Sequence, residues 1–338
     1  MGAIAGKIVR IDLSTKTISE ESAEKYEERF IGGRGVGAWI LFNEMRPEIK
    51  PLDPESILVF CAGPLTGTDF PGAGRLSIES KNCNTNGVNW ANAGGYFASE
   101  LKHAGWSYIV VKGKAEKPVY LHIHNEQIEL REAAHLWGAD VWETGNIIRS
   151  ELSDPHVQLA AIGTAGENLV PMAIVVINQH RAAGSGGVGA IMGSKNLKAI
   201  AVRGTKKVSI ADVARFEGVL QKIKPKILNA GLTKAFREVG TIGAYQTPAN
   251  NASIFPFRNT QDDYYPNIES SSIAFAQWRK TGESQDGCSH CPIQCDRLVV
   301  EADEGPYKGV NVPLPHSNTQ YAFGCRVDMR SPSNIIKA

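Results

Sequence analysis

Seven short apolar or alternating runs, six of them bounded by glycine, proline or asparagine, punctuate the first 205 or so residues. They cover residues 8–13, 56–61, 108–111, 119–123, 157–162, 172–177 and 199–202. Runs of four to eight such residues are too short for self-standing helices and have the length of strands. A few helical stretches interrupt them. Asp140 stands where a helix cap belongs, ahead of Val141, Ile147, Ile148 and Leu152. The texture changes after about Ser209. Val213, Phe216, Leu220, Ile223 and Ile227 recur at helical spacing behind a capping Asp212, and residues 233–239 form a second helical candidate. A loop rich in Pro, Asn and Asp is expected over 248–268. These patterns predict an α+β chain, with a β-rich domain over residues 1–207 and a mainly α-helical domain beginning at 208 and running to 338. At the C-terminus Ser331 caps, Pro332 sits in a first turn and apolar residues begin, so a helix starts where the sequence stops. One turn does not hold as a free helix, and the expectation is of a second domain cut short.

Glycine is abundant, at 34 residues, and is gathered rather than spread. Four clusters stand out: Gly32-Gly-Arg-Gly-Val-Gly37, Gly72-Ala-Gly-Arg75, Asn92-Ala-Gly-Gly95 and Gly184-Ser-Gly-Gly-Val-Gly189. Glycine is costly in backbone entropy, so repeated glycine-rich loops suggest that backbone approaches something closely. Two of the clusters carry an arginine: Arg75 follows Gly74, and Arg181 precedes Ala182, Ala183 and Gly184. Exposed amides at a helix start bind anions, and guanidinium groups pair bidentately with phosphate. A helix beginning at Tyr96 fits the first set. Two such sets suggest two anionic ligands, or the two ends of one. The alternative is that the glycines serve tight turns and the arginines are solvated. Gly184, Gly186 and Gly189 also match a dinucleotide fingerprint. No acidic residue stands at the required distance for that fold, since Asp212 comes too late, and the match is set aside.

Three of the six cysteines, Cys288, Cys291 and Cys295, form a C-x2-C-x3-C motif, while Cys61, Cys83 and Cys325 are scattered. Tight spacing on a turn supplies three of the four thiolates that a cubane cluster needs. Zinc held by these cysteines with His290 or Cys325 is the competing reading, and three unligated cysteines the third. Disulfides are the weaker choice in a chain of this length with no secretory signal at its start. His122 and His124 share one strand face without a third ligand nearby. His180 adjoins Arg181, where it touches an anion or ends a strand. His316, in the rigid stretch Pro313-Leu-Pro-His-Ser-Asn318, is the one candidate proton donor for catalysis. The remaining catalytic residues are unknown at this stage. Basic and acidic residues balance at 36 to 35, for a net charge of +1. That balance does not favour nucleic acid as a partner. No run of about 18 apolar residues is present, so no membrane span is expected, and the cytoplasm is the default location.

The motifs taken together resemble the aldehyde ferredoxin oxidoreductase family. The resemblance runs from Lys7-Ile-Val-Arg-Ile-Asp-Leu13 through Gly32–Gly37, Ala62-Gly-Pro-Leu-Thr-Gly67, Gly74-Arg-Leu-Ser77, Gly163-Thr-Ala-Gly-Glu-Asn168 and Gly193-Ser-Lys-Asn-Leu-Lys-Ala199 to the cysteine motif, in order and spacing. It implies an N-terminal domain of two β-sheets with pseudo-twofold symmetry that cradles a tungsten bis-pyranopterin, with molybdenum as the alternative metal. By that resemblance Arg75 and Arg181 would contact the pterin phosphates. Asn92 and Ala182 would offer oxygens to magnesium, and Gly94, Gly95 and Ala183 would line the pterins. Cys288, Cys291 and Cys295 would hold three corners of a [4Fe–4S] cluster. The fourth ligand would lie beyond residue 338, which argues against Cys325. Ferredoxin or an iron–sulfur electron-transfer subunit would be the redox partner, and the whole protein would be an oligomer.

One departure bears on the reaction. Where the family usually shows Pro-Glu-Tyr-Glu, this chain has the stretch from Pro313 to Asn318, without a carboxylate. The sequence therefore leans toward reduction of an aromatic acyl-CoA, as in the tungsten subunit of class II benzoyl-CoA reductases. Oxidation of aldehydes to carboxylic acids with ferredoxin as acceptor is the first alternative, and a non-catalytic metal-binding fragment is the second.

Overall fold

The computed structural model describes residues 6–254, 257–268, 285–297, 300–301, 305, 308–309, 311–312 and 317–337. The chain divides into two compact units, residues 1–217 with 288–290, and residues 218–287 with 291–338.

The first unit is built on twelve strands in two six-stranded mixed sheets. The first sheet takes β1 (Lys7–Asp12), β2 (Thr17–Ser22), β3 (Leu58–Ala62), β4 (Leu76–Lys81), β5 (Val88–Ala93) and β6 (Tyr108–Lys112), in the order β2-β1-β6-β3-β4-β5. The second takes β7 (Val119–His124), β8 (Gln127–Glu132), β9 (Gln158–Ala161), β10 (Val175–Ile177), β11 (Arg181–Ala183) and β12 (Leu197–Arg203), in the order β8-β7-β12-β9-β10-β11. Element for element the second sheet repeats the first. In each, the first and sixth strands pair in parallel and every other pair is antiparallel. The helices repeat as well. α1 (Glu24–Phe30) and α2 (Arg34–Glu44) lie between the second and third strands of the first half. α3 (Phe97–His103) lies between its fifth and sixth strands. In the second half α4 (Val141–Leu152) takes the place of α2, α5 (Thr164–Glu167) follows the third strand, and α6 (Val188–Ser194) takes the place of α3.

Strand periodicity sorts the apolar side chains into layers. Val9, Ile11, Leu58, Phe60, Ile109 and Val111 of the first sheet share one central core with Leu121, Ile123, Ala160, Ile200 and Val202 of the second, and with Phe97, Leu101, Ile191 and Met192 of α3 and α6. The alternate residues Ile8, Val59, Tyr108 and Val110 face Val36, Ile40 and Leu41 of α2. Tyr120, Leu159, Ala199 and Ala201 face Ile148 of α4. The central strands are thus buried on both faces, which is why they read as short continuous apolar runs. Each large apolar side chain withdrawn from water contributes about 1.5–3 kcal/mol.

Two of the glycine clusters differ from the expected loops. The chain from Arg34 is helical, so Gly35 and Gly37 lie inside α2. A Cβ on Gly37 would stand 2.6 Å from Cys61 Sγ and 2.5 Å from Glu79 Cγ, so here the absent side chain lets the helix close onto the sheet. Asn92 and Ala93 of the third cluster close strand β5, and Arg181–Ala183, ahead of the fourth, form the edge strand β11.

α7 (Val213–Asn229) starts within the first unit and continues into the second; it begins behind Asp212, whose carboxylate accepts from the amide of Arg215 at 2.9 Å. α8 (Gly231–Asn251) absorbs the expected 233–239 helix and breaks at Gly240, where φ is 65°. It also takes in Pro248–Asn251, the first residues of the expected loop. Asn250 then fixes the return of the chain. Its amide donates to the Tyr265 carbonyl at 2.9 Å and its oxygen accepts from the Tyr265 amide at 2.8 Å. Short helices follow at Ser317–Phe323 and Pro332–Lys337. Gln285–Asp286 pairs antiparallel with Asp296–Arg297, so the chain is paired on either side of the cysteine motif.

Candidate cofactor site

The fifth strand ends each sheet, and the two edges, β5 and β11, lie against each other. Arg75, Asn92, Gly94, Gly95 and Arg181–Ala183, singled out from the sequence, lie there. Arg75 precedes β4, and its Nε donates to Asn92 Oδ1 on β5 at 2.6 Å, with Nη2 donating to the same oxygen. The Asn92 amide donates in turn to the Leu76 carbonyl at 3.0 Å. Gly94 and Gly95 continue β5. A Cβ on Gly94 would lie 3.1 Å from Arg75 Nη1, 3.7 Å from Arg181 Nη1 and 2.5 Å from Cys288 Sγ. A Cβ on Gly95 would lie 3.0 Å from Arg181 Cδ. Two guanidinium groups and a thiol therefore crowd one spot that no side chain fills. Ala182 stands opposite Val176 in the β10–β11 ladder, and Ala183 beside it is fully buried.

Cys288 reaches this place on a short segment that belongs to the first unit. A Cβ on Gly74 would meet Cys288 Cβ and the Ser289 amide, each at 3.1 Å. The Ser289 amide donates to the Gly95 carbonyl at 3.1 Å. His290 Nδ1 lies 2.8 Å from the Asp69 carboxylate, a pairing that the sequence reading did not find.

The other candidates stand as follows. Cys291 and Cys295 are half-buried in the second unit. Among the described residues no group of three His, Cys, Asp or Glu side chains is placed to hold a metal ion. Cys325 is fully buried and burial pushes its thiol up to about 12, which keeps it protonated. His122 and His124 form a ring pair with centroids 6.4 Å apart on β7. Burial first, and then the nearby Arg131 charge, lower the His122 pKa. His180 Nδ1 meets the Asn178 carbonyl at 2.7 Å. His316 lies outside the described residues. No helix among the described residues is long and apolar enough to cross a membrane.

The donor set at β5 and β11 suits a group that carries phosphates. It offers two guanidinium groups for oxyanions, a side-chain amide oxygen and strand carbonyls for a hard cation, and bare glycine backbone for close approach. Thiols such as that of Cys288 suit iron or zinc. In this doubled mixed-sheet unit Arg75 ahead of β4, Arg181 on the edge strand β11, the glycine backbone after β5 and Cys288 on its own short segment come to one place. The chain belongs to the aldehyde ferredoxin oxidoreductase family. The family's N-terminal domain matches residues 8–204 and its domains 2 and 3 match residues 218–338.

A tungsten-containing aldehyde ferredoxin oxidoreductase of Pyrococcus abyssi is 42% identical over 98% of this chain and 54% of its own length. The WOR-like subunit of an aliphatic sulfonate oxidoreductase from Pyrococcus furiosus is 32% identical over 99% of this chain and 55% of its own length. Among solved structures, the active-site complex BamBC of benzoyl-coenzyme A reductase with 1,5-dienoyl-CoA aligns with a TM-score of 0.83 at 30% identity, covering 97% of this chain and 51% of that one. This chain thus spans about half the length of the curated relatives it matches.

Proposed function

We propose that this chain is the cofactor-cradling part of a tungsten oxidoreductase that also carries a [4Fe–4S] cluster. The observation that supports this best is the convergence of Arg75, Arg181 and Cys288 on the open face of Gly94. Arg75 and Arg181 hold the phosphates of a bis-pyranopterin. Asn92 and Ala182 give oxygens to magnesium, while Gly94, Gly95 and Ala183 line the cofactor with backbone. Cys288, Cys291 and Cys295 hold three cluster irons, and the fourth ligand comes from a part of the protein outside these 338 residues. When bound, these groups supply paired-electron chemistry at tungsten, or at molybdenum in its place, and single-electron transfer at the cluster. The protein's part is to bind, orient and exclude water.

For the reaction we favour oxidation of an aldehyde to a carboxylic acid, with ferredoxin or an iron–sulfur subunit accepting the electrons. This reverses the order set by the sequence motifs alone. The reason is the 42% identity, across nearly the whole chain, to a protein named for that activity. Reduction of an aromatic acyl-CoA is the second reading. It draws on the alignment with the benzoyl-coenzyme A reductase complex and on the stretch from Pro313 to Asn318, which has no carboxylate.

The test is elemental analysis of the complete protein purified without oxygen, followed by assays with aldehydes and with aromatic acyl-CoA thioesters. Tungsten near one and iron near four per chain, with viologen reduction on adding aldehyde, is the expected result. Zinc alone would leave a non-catalytic metal-binding protein. Metal content as expected, with turnover only on the thioester, would select the second reading.

A further inference from the structure

Asn89 is a polar residue on the inward face of β5, in register with Ala91 and Ala93, and is only 5% exposed. Its side chain turns to the other sheet. Nδ2 donates to the Ser185 carbonyl at 3.3 Å, and the Ser185 hydroxyl donates back to Oδ1 at 3.4 Å. The next residue, Gly186, has φ +67°, and a Cβ there would stand 2.1 Å from Asn89 Cγ. The Cys83 amide then donates to the Gly186 carbonyl at 2.9 Å. The loop that leaves β11 is therefore gripped by the first half of the duplicated unit.

β11 has three residues and ladders only with β10. It carries Arg181, Ala182 and Ala183, the second half's whole share of the site. The first half's share is Arg75 ahead of β4, Asn92 on β5 three residues after Asn89, and Gly94 and Gly95 just after the strand. One side chain thus sits on the strand that carries one half of the site and grips the loop that leaves the other half.

We infer that Asn89 is a positioning residue for the cofactor, fixing the Arg181–Ala183 edge against the Gly94–Gly95 edge so that both guanidinium groups meet one ligand. The inference rests on the cofactor reading given above. A group held by oriented donors on two separate edges is lost when one edge drifts, even if neither set of donors is altered. The side chain of Asn89 hydrogen-bonds to Ser185 and not to Cys288, so its removal should spare the cluster.

The test is made on the complete protein, purified anaerobically as wild type, Asn89→Ala, Gly186→Ala and the double variant. Tungsten and iron per chain, the rate of tungsten release on dilution, and the melting temperature of protein from tungsten-free medium are read for each. Asn89→Ala is expected to release tungsten about 10-fold faster, the range of supporting residues around a metal site. Iron per chain and the melting temperature of the tungsten-free form should stay at wild-type values. Gly186→Ala should likewise release tungsten faster and keep its iron, but it should also melt lower, because alanine at φ +67° is strained. The double variant should be no worse than the worse single one, because removing the Asn89 side chain makes room for the new methyl group. Wild-type tungsten release in Asn89→Ala overturns the inference, and so does a loss of iron and melting temperature in parallel with tungsten, which would mark a general folding role. Wild-type protein with neither tungsten nor molybdenum overturns the cofactor reading and this inference with it.

Discussion

The amide of Ser289 donates to the carbonyl of Gly95 at 3.1 Å, so the residue after the first motif cysteine is tied, backbone to backbone, to the glycine loop that ends β5. The cysteine motif is far from that loop in sequence, yet its first member belongs to the double-sheet unit. The contact explains why Gly74 and Gly94 carry no side chain, since each would meet Cys288.

Gly94→Ala places a methyl carbon 2.5 Å from Cys288 Sγ and 3.1 Å from Arg75 Nη1. Something must shift, and every group in reach belongs to the proposed site. The complete protein carrying Gly94→Ala is expected to lose both tungsten and iron, each by about 10-fold in retention. Gly218→Ala is the control, because nothing stands within 4 Å of its new Cβ inside α7. It should keep its metals and gain roughly 0.5–1 kcal/mol in helix stability. Unchanged metal content in Gly94→Ala would remove this glycine from the site.

Glu79 lies on β4 beneath α2 and is 1% exposed. Burial pushes its carboxyl up to about 7, against a donated hydroxyl bond from Ser77 and the nearby Arg34 charge, both of which lower it. A carboxyl whose folded value is raised stabilises the fold fully below the unfolded value of 4.5, and that contribution is lost as pH rises through about 7. Up to about 3 kcal/mol is at stake on this shift. Glu79→Gln should therefore melt close to wild type at pH 4.5 and several degrees above it at pH 8. Equal melting-point differences at the two pH values would show that Glu79 does not titrate in this window.

Lys198 and Glu167 form an ion pair whose side chains are 0% and 4% exposed. Lys198 Nζ also donates to the Ala139 carbonyl at 2.7 Å, and Glu167 Oε2 accepts from the Gly138 amide at 2.9 Å. Removing one partner strands the other charge in a dry interior. Lys198→Met should cost about 3–5 kcal/mol in denaturant unfolding. Adding Glu167→Gln should recover most of it, because the uncompensated charge is gone while the amide oxygen still accepts from Gly138. A double variant as unstable as the single one would place the loss in packing instead.

Legibility followed burial. β1, β3, β6, β7, β9, β10 and β12 were readable because most are central strands with apolar side chains on both faces. β2, with Thr17, Ser19, Glu20, Glu21 and Ser22, is an edge strand facing water and reads as polar sequence. β4 hides Ser77, Glu79 and Lys81 under a helix, where their polarity argued against a strand. Lys81 is held there by the carbonyls of Pro47 and Ile49, a tertiary fact with no local signal. At the site, Arg75, Asn92 and Arg181 were picked out by residue type beside glycine. Asn89 was not, since an asparagine alternating with Ala91 and Ala93 announces nothing until the Ser185 loop is seen across from it.

The cap of α4 was legible, and it yields a clean measurement. Asp140 has extended backbone, and its Oδ1 accepts from the amides of Trp142 and Glu143, each at 2.8 Å. These are two of the amides that a helix start leaves without internal partners. Asp140→Ala removes both bonds and should cost about 1 kcal/mol. Asp140→Asn keeps an oxygen in place and should cost only a few tenths of that, mostly the lost attraction between the carboxylate and the helix dipole. The cap lies on the outer side of the second sheet, where Ile148 of α4 packs on Leu159 and Ala201. Tungsten and iron per chain should therefore match wild type in both variants. If Asp140→Ala lowered metal content while Asp140→Asn did not, α4 would be shown to brace the β9–β11 edge that carries Arg181.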